Sequence, residues 1–282
     1  MVENNRWGNI LAHVILIAGV AIVAFPIYVA IIASTHPGGT FLRGTIPLLP
    51  GGEALNNYRT ALLEGRSRAG TPPISLMLWN SFVMAMAITL GKLAISLLSA
   101  FAIVYFRFPF RIFFFWVIFV TLMLPVEVRI VPTFQIVADL GMLNSFAGLS
   151  IPLIASATAT FLFRQFFMTV PEEMLEAARV DGAGPFKFFK DILMPLSITN
   201  IAALFVILFI YGWNQYLWPL LITTDSDYYT IVMGIQRMVT GGDSEPLWHL
   251  VMATVVMAAL PPVLVILFMQ RLFVKGLTET EK

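Results

Sequence analysis

Charge is spread so unevenly along the chain that six long stretches carry almost none. A hydrocarbon core about 30 Å thick takes roughly 20 apolar helical residues to cross, so the pattern predicts six membrane-spanning helices. They cover about residues 10–33, 76–106, 112–132, 146–167 and 196–222, with the sixth between Glu245 and Arg271. The first apolar run is too long for the roughly 7–15-residue core of a secretory signal and is expected to stay in the membrane. Pro26, Pro125, Pro152, Pro219, Pro261 and Pro262 fall in or at the ends of these runs. Membrane helices tolerate such breaks when neighbours satisfy the freed carbonyls. A transmembrane barrel would instead show segments of about 10 residues alternating in polarity. The expected class is an all-α membrane protein with six transmembrane helices.

The one clear shift in composition is the polar, Gly- and Pro-rich stretch from Thr35 to Ser75. It reads as a loop between the first two spans, with a short helix near residues 56–63. The expected organisation is then 1–75 (first span and loop), 76–270 (five further helices) and 271–282 (a tail).

Composition narrows the function. Of 282 residues, 59% are hydrophobic and 12% charged, about half the charge of an ordinary soluble domain. A formal net charge of +1 offers no basic stripe for nucleic acid. With no cysteine there is no disulfide framework and no thiolate metal site. His13, His36 and His249 form no ligand cluster, so no metal site is expected. No G-x-x-x-x-G-K-[ST] loop occurs, so any nucleotide must bind a partner. A nucleophile, base and acid set is also missing, which argues against an enzyme.

Lys and Arg in short loops favour the cytoplasmic side. With six spans and a cytoplasmic amino terminus, Arg6, Arg107, Arg111, Arg164, Arg179, Lys187, Lys190, Arg271, Lys275 and Lys282 lie inside. Arg43, Arg59, Arg66, Arg68 and Arg237 lie outside. Both termini are therefore expected in the cytoplasm.

The loop between spans four and five carries most of that inside charge. Thr169 and Glu172 match a capping box, Pro171 suits a first turn, and Glu172 and Glu173 favour the positive helix end. Gly182 supplies a stop, and Pro185 opens a second helix running to about Leu193. Two readings of this helix–turn–helix stand: an amphipathic pair lying on the headgroups, or a docking element for a partner protein. In the second, Ala177 and Ala178 admit close approach and Glu176 fixes the register.

Glu176-Ala177-Ala178, then Gly182 four residues on, then Ile192 and Pro195, resembles the cytoplasmic loop of permease subunits of bacterial ABC importers. Met194 stands where that family prefers Leu, a near-isosteric change. Trp213-Asn214-Gln215-Tyr216-Leu217-Trp218-Pro219-Leu220-Leu221 is similar to the signature of the carbohydrate-type permeases, in which an acidic residue commonly replaces Gln215. Together with Asn80 to Phe108, Leu124 to Ile130 and Ala155 to Gly182, these blocks resemble the permeases of sn-glycerol-3-phosphate importers over most of the chain. The resemblance implies a type I importer permease fold and an ATPase-coupling loop at 169–195. Within the loop it points to Glu176, Ala177, Ala178, Asp181, Gly182 and Pro195. It further implies a second homologous permease, two ATP-binding subunits using ATP and Mg, an external substrate-binding protein, and an inner-membrane location. No cofactor is expected on this chain.

Charges at membrane depth are the candidates for a substrate path, because a charge at a helix centre costs roughly 2.5–3.5 kcal/mol on insertion scales. Lys92 is either a cation facing the path or a long side chain reaching the interface. Arg129 is either an attractor for an anionic substrate or an interfacial residue offset by Glu127. Asn214 and Gln215, among Tyr211, Trp213, Tyr216 and Trp218, suit a polyol, although an aromatic belt accounts for the rings as well. The rival functions are a permease for another carbohydrate and an ion-driven secondary transporter. The latter calls for paired carboxylates in the spans, where only Glu127 is available.

Overall fold

A computed structural model of the chain describes residues 6–44, 46–64, 71–121, 126–240 and 246–279. Its helices in order are α1 (Arg6–Ala33), α2 (Ala54–Leu63), α3 (Ile74–Tyr105), α4 (Arg111–Val120), α5 (Val126–Asp139), α6 (Phe146–Ser150) and α7 (Ala157–Phe167). They continue with α8 (Glu172–Val180), α9 (Pro185–Phe188), α10 (Met194–Leu196), α11 (Ile198–Trp213), α12 (Leu217–Ile222), α13 (Ile231–Thr240) and α14 (Trp248–Glu279).

Three straight stretches are long and apolar enough to cross a membrane: Trp7–Ala33, Ile74–Tyr105 and Trp248–Gln270. Two more qualify as bent pairs, Phe146–Leu153 with Ala157–Phe167 at 48° and Pro185–Leu196 with Ile198–Trp213 at 73°. The expected third span is divided between α4 and α5, and Pro125 between them lies outside the described residues. The fifth expected span is also interrupted: α11 ends at Trp213 and α12 begins at Leu217. The helix expected to stop near residue 270 continues to Glu279.

The chain divides into two compact units, Met1–Leu76 with Gly234–Leu260, and Met77–Met233 with Pro261–Lys282. In the first, α1 is exposed along most of its length, consistent with a helix whose surroundings are lipid or another chain. Its carboxyl end is tied to the following loop. Buried Asn57 donates from Nδ2 to the carbonyls of Ser34 (2.9 Å) and His36 (2.8 Å), just past the end of α1. Thr35 Oγ1 accepts from the Gly51 amide at 2.7 Å. Removing a buried donor leaves both carbonyls unpaired, at about 1–3 kcal/mol. Asn57→Ala is therefore expected to lower the thermal midpoint of the purified protein, whereas exposed Asn56→Ala should barely change it.

The second unit has two hydrophobic clusters. One contains Leu97, Phe101, Phe163, Phe167, Phe188, Leu193 and Leu204, and gathers α3, α7, α8, α9 and α11. The other is built on Met84, Ile88, Val137, Leu149, Trp218 and Ile222, with Ile130 and Tyr211 packed against it. Close approach of α3 and α11 requires Gly212, where an added Cβ would lie 2.9 Å from Ala85 Cα. Asn144, at φ 51°, accepts through Oδ1 from the amides of Thr224 (2.7 Å) and Asp225 (3.0 Å). It thereby fixes the loop after α12. Asn80 Nδ2 holds the next turn by donating to the carbonyls of Asp227 (2.7 Å) and Tyr229 (3.0 Å).

Candidate coupling helix and transport path

The segment after α7 folds as a helix–turn–helix, although its start differs from the expected capping box. Thr169 Oγ1 donates to the Phe166 carbonyl (2.7 Å), so it completes the end of α7. Pro171 occupies the N-cap of α8 without a side-chain cap. Glu172 and Glu173 do stand in the first turn, where the helix dipole favours negative charge. The stop is a Schellman turn. Gly182, at φ 72°, donates to the Arg179 carbonyl (3.0 Å), and Ala183 donates to the Ala178 carbonyl (2.8 Å). A side chain at Gly182 would cost about 1–2 kcal/mol in this left-handed conformation.

Beyond it, Pro185 opens α9, and the helix widens into a π turn over Phe189–Leu193 before α10. Pro195 brings no N–H to the ladder, and Met194 instead donates to the Phe189 carbonyl five residues back. Rings lock this stretch to α3: Phe101 and Phe189 centroids are 4.8 Å apart, and Tyr105 and Phe188 centroids 5.2 Å. Displacing α8 and α9 would therefore pull on α3 through packed side chains.

The two faces of α8 separate the candidate coupling residues. Ala178 is 4% exposed and belongs to the core cluster, so it admits close approach of this chain's own helices and does not face a partner. Glu176, Ala177, Asp181, Gly182 and Pro195 are exposed. Beside them stand two large apolar side chains that the sequence pattern missed, Val180 at 87% and Phe186 at 76% exposure. A cavity of about 930 Å³ also opens at this end, with Arg107, Arg111, Glu172 and Arg179 among its lining residues.

The candidate path residues lie elsewhere in the same unit. Lys92, 7% exposed, sits past the midpoint of the 32-residue α3. Its Nζ lies 3.8 Å from the centroid of the Tyr211 ring, and among the described residues it pairs with no carboxylate. A cation on a desolvated ring gains about 2 kcal/mol, which does not fully offset the roughly 2.5–3.5 kcal/mol of placing a charge at a helix centre. Arg129 is exposed on α5, yet its charge acts on Lys92. The side chain of Glu127, the expected offset to Arg129, lies outside the described residues. Gln215 Nε2 donates to the Tyr211 carbonyl at 3.1 Å, and Asn214 is exposed at the C-cap of α11. Lys92, Tyr211 and Gln215 thus share one neighbourhood, and Ile130, next to Arg129, packs against the same cluster as Tyr211. Trp213 and Trp218 do not join an interfacial belt. Both are buried, and Trp218 Nε1 donates to the Gly148 carbonyl at 3.1 Å.

Long apolar helices, one of them carrying a buried cation at Lys92, define a protein of the membrane. The chain belongs to the family of binding-protein-dependent transport system inner membrane components, whose model matches residues 92–279. It is 58% identical over 282 residues, the whole of both chains, to the sn-glycerol-3-phosphate transport system permease protein UgpE of Brucella melitensis. Relatives of the same name in Agrobacterium fabrum and Salmonella typhi are 57% and 56% identical, again over the whole of both chains. In fold it is similar to a chain of a bacterial ABC transporter involved in the import of the acidic polysaccharide alginate. That match has a TM-score of 0.80 at 21% identity, and covers 96% of this chain and 98% of the other. The protein is therefore a multi-pass inner-membrane permease subunit of an ABC importer, a system that also includes a partner permease, an ATPase and a substrate-binding protein. It is not an enzyme, since ATP hydrolysis in such importers belongs to separate subunits.

Proposed function

We propose that the chain is one of two homologous permeases that together import sn-glycerol 3-phosphate, fed by an external binding protein and driven by a pair of ATPase subunits using ATP and Mg. The observation that carries the substrate is the full-length identity of 56–58% to permeases named for it. Both termini lie in the cytoplasm in this reading, which puts the exposed face of α8 on the ATPase side. Glu176 pairs there with a basic group, Ala177 lets the partner close in, and Asp181 and Gly182 shape the turn. Ala178 holds the segment to the bundle, and exposed Pro195 closes its far end. Closure of the ATPases on ATP draws the coupling loops of the two permeases together and opens the path outward; hydrolysis resets it. Lys92, Arg129, Asn214 and Gln215 contribute to that path.

Uptake of labelled sn-glycerol 3-phosphate by cells carrying the complete system tests the substrate. Excess unlabelled sn-glycerol 3-phosphate is expected to suppress uptake at least about tenfold, the change equal to 1.4 kcal/mol, and maltose to leave it unchanged. Absence of uptake, or uptake that maltose suppresses, would assign the permease to another carbohydrate.

A further inference from the structure

We propose that Lys92, with Arg129 near it, is a phosphate-recognising station on the transport path, covered by the ring of Tyr211 until the substrate anion takes the ring's place. The proposal rests on the reading of the chain as a permease for sn-glycerol 3-phosphate, and it names the residue that senses that substrate's charge.

Three observations lead to it. Lys92 is buried far from either end of α3, about 20 Å from Tyr105 and 27 Å from Ile74 at 1.5 Å per residue. Its ammonium does not snorkel to an interface, because it rests over a ring of the same unit. A lysine kept for architecture would be matched by an acid, as buried charges are. No carboxylate among the described side chains pairs with Lys92, that of Glu127 lying outside them, and the charge that acts on it is a second cation, Arg129. The exposed Arg129 adds to the unfavourable field on buried Lys92, and an anion bound beside Lys92 reverses the sign of the interaction.

Tyr211 suits the role of a cover. Its π face attracts a cation, but less strongly than a phosphate oxygen that accepts a charge-assisted hydrogen bond from the ammonium. Exchange of ring for anion is thus favourable, and loss of the anion lets the ring return. Tyr211 stands in the last turn of α11, directly before the non-helical residues 214–216. Gln215 is bonded to its carbonyl, so movement at this break carries ring and amide together. Arg129 adds a planar donor fork matched to phosphate oxygens.

The test uses the whole complex of both permeases, ATPase and binding protein in proteoliposomes, with parental protein, Lys92→Gln and Lys92→Arg compared. Parental vesicles that import no sn-glycerol 3-phosphate would refute the proposed substrate itself, separately from Lys92. With parental import established, Lys92→Gln is expected to reduce uptake at least about tenfold in a fully assembled complex. Lys92→Arg, which keeps the cation, is expected to retain at least about a third. Uptake by Lys92→Gln within about twofold of the parent would overturn the proposal. So would equal losses in both variants with assembly intact, since length and packing rather than charge would then matter. Loss of co-purifying subunits in Lys92→Gln alone would assign the charge to subunit pairing and overturn it as well.

Discussion

Glu176→Arg is expected to abolish uptake while the protein still inserts into the membrane. Glu176 is exposed on α8, and arginine is as good a helix former as glutamate, so the bundle itself has little reason to change. The interface does. Replacing one partner of a hydrogen-bonded charge pair with its opposite costs at least the 2–5 kcal/mol of breaking such a pair, and every 1.4 kcal/mol is a factor of ten in affinity. Docking of the ATPase should weaken by roughly thirtyfold or more. Co-purification of the ATPase with tagged permease measures the docking, and uptake measures its consequence. Full transport by this variant would remove α8 from the coupling role.

Gly212→Val is expected to be strongly damaging within the second unit. Even the first added atom would lie 2.9 Å from Ala85 Cα, a backbone atom that cannot rotate away. Overpacking of this kind typically costs 1–3 kcal/mol, and occasionally more. Its effect also reaches the path, because separating α11 from α3 lifts the Tyr211 ring off Lys92. The variant should show a lower thermal midpoint and at least a tenfold loss of uptake. Gly52→Ala, with nothing within 4 Å of the added atom, should behave as the parent. Unchanged stability in Gly212→Val would mean that α3 and α11 are not held this closely.

The spans were readable because their signal is an absence of charge, and α1, α3 and α14 follow that signal closely. The third was less so: apolar residues continue from Arg111 toward Pro132, but the chain divides them between α4 and α5. The helix–turn–helix after α7 was legible in outline, since Gly182 and Pro185 mark a turn by their backbone preferences alone. Its faces were not. Ala177 and Ala178 are identical in sequence terms, and only the packing of Leu175 and Ala178 against the cluster around Phe101 decides which one points outward. Val180 and Phe186 were missed for the converse reason: an apolar side chain in an amphipathic segment is assigned to its buried face unless a partner is known. Thr169 was misassigned because its hydroxyl satisfies the preceding helix before it can cap the next. At Lys92 the depth in the membrane was visible in the sequence. Its partner was not, since Tyr211 reaches it only through the α3–α11 approach that Gly212 permits.

The central claim is that this chain carries sn-glycerol 3-phosphate under the control of an ATPase docked on α8. The most direct measurement is accumulation of labelled sn-glycerol 3-phosphate in proteoliposomes holding the whole complex, with ATP at the ATPase face and binding protein at the other. Accumulation against a gradient that requires both ATP and the binding protein is the predicted result. Accumulation driven by an ion gradient in the absence of ATP would contradict it.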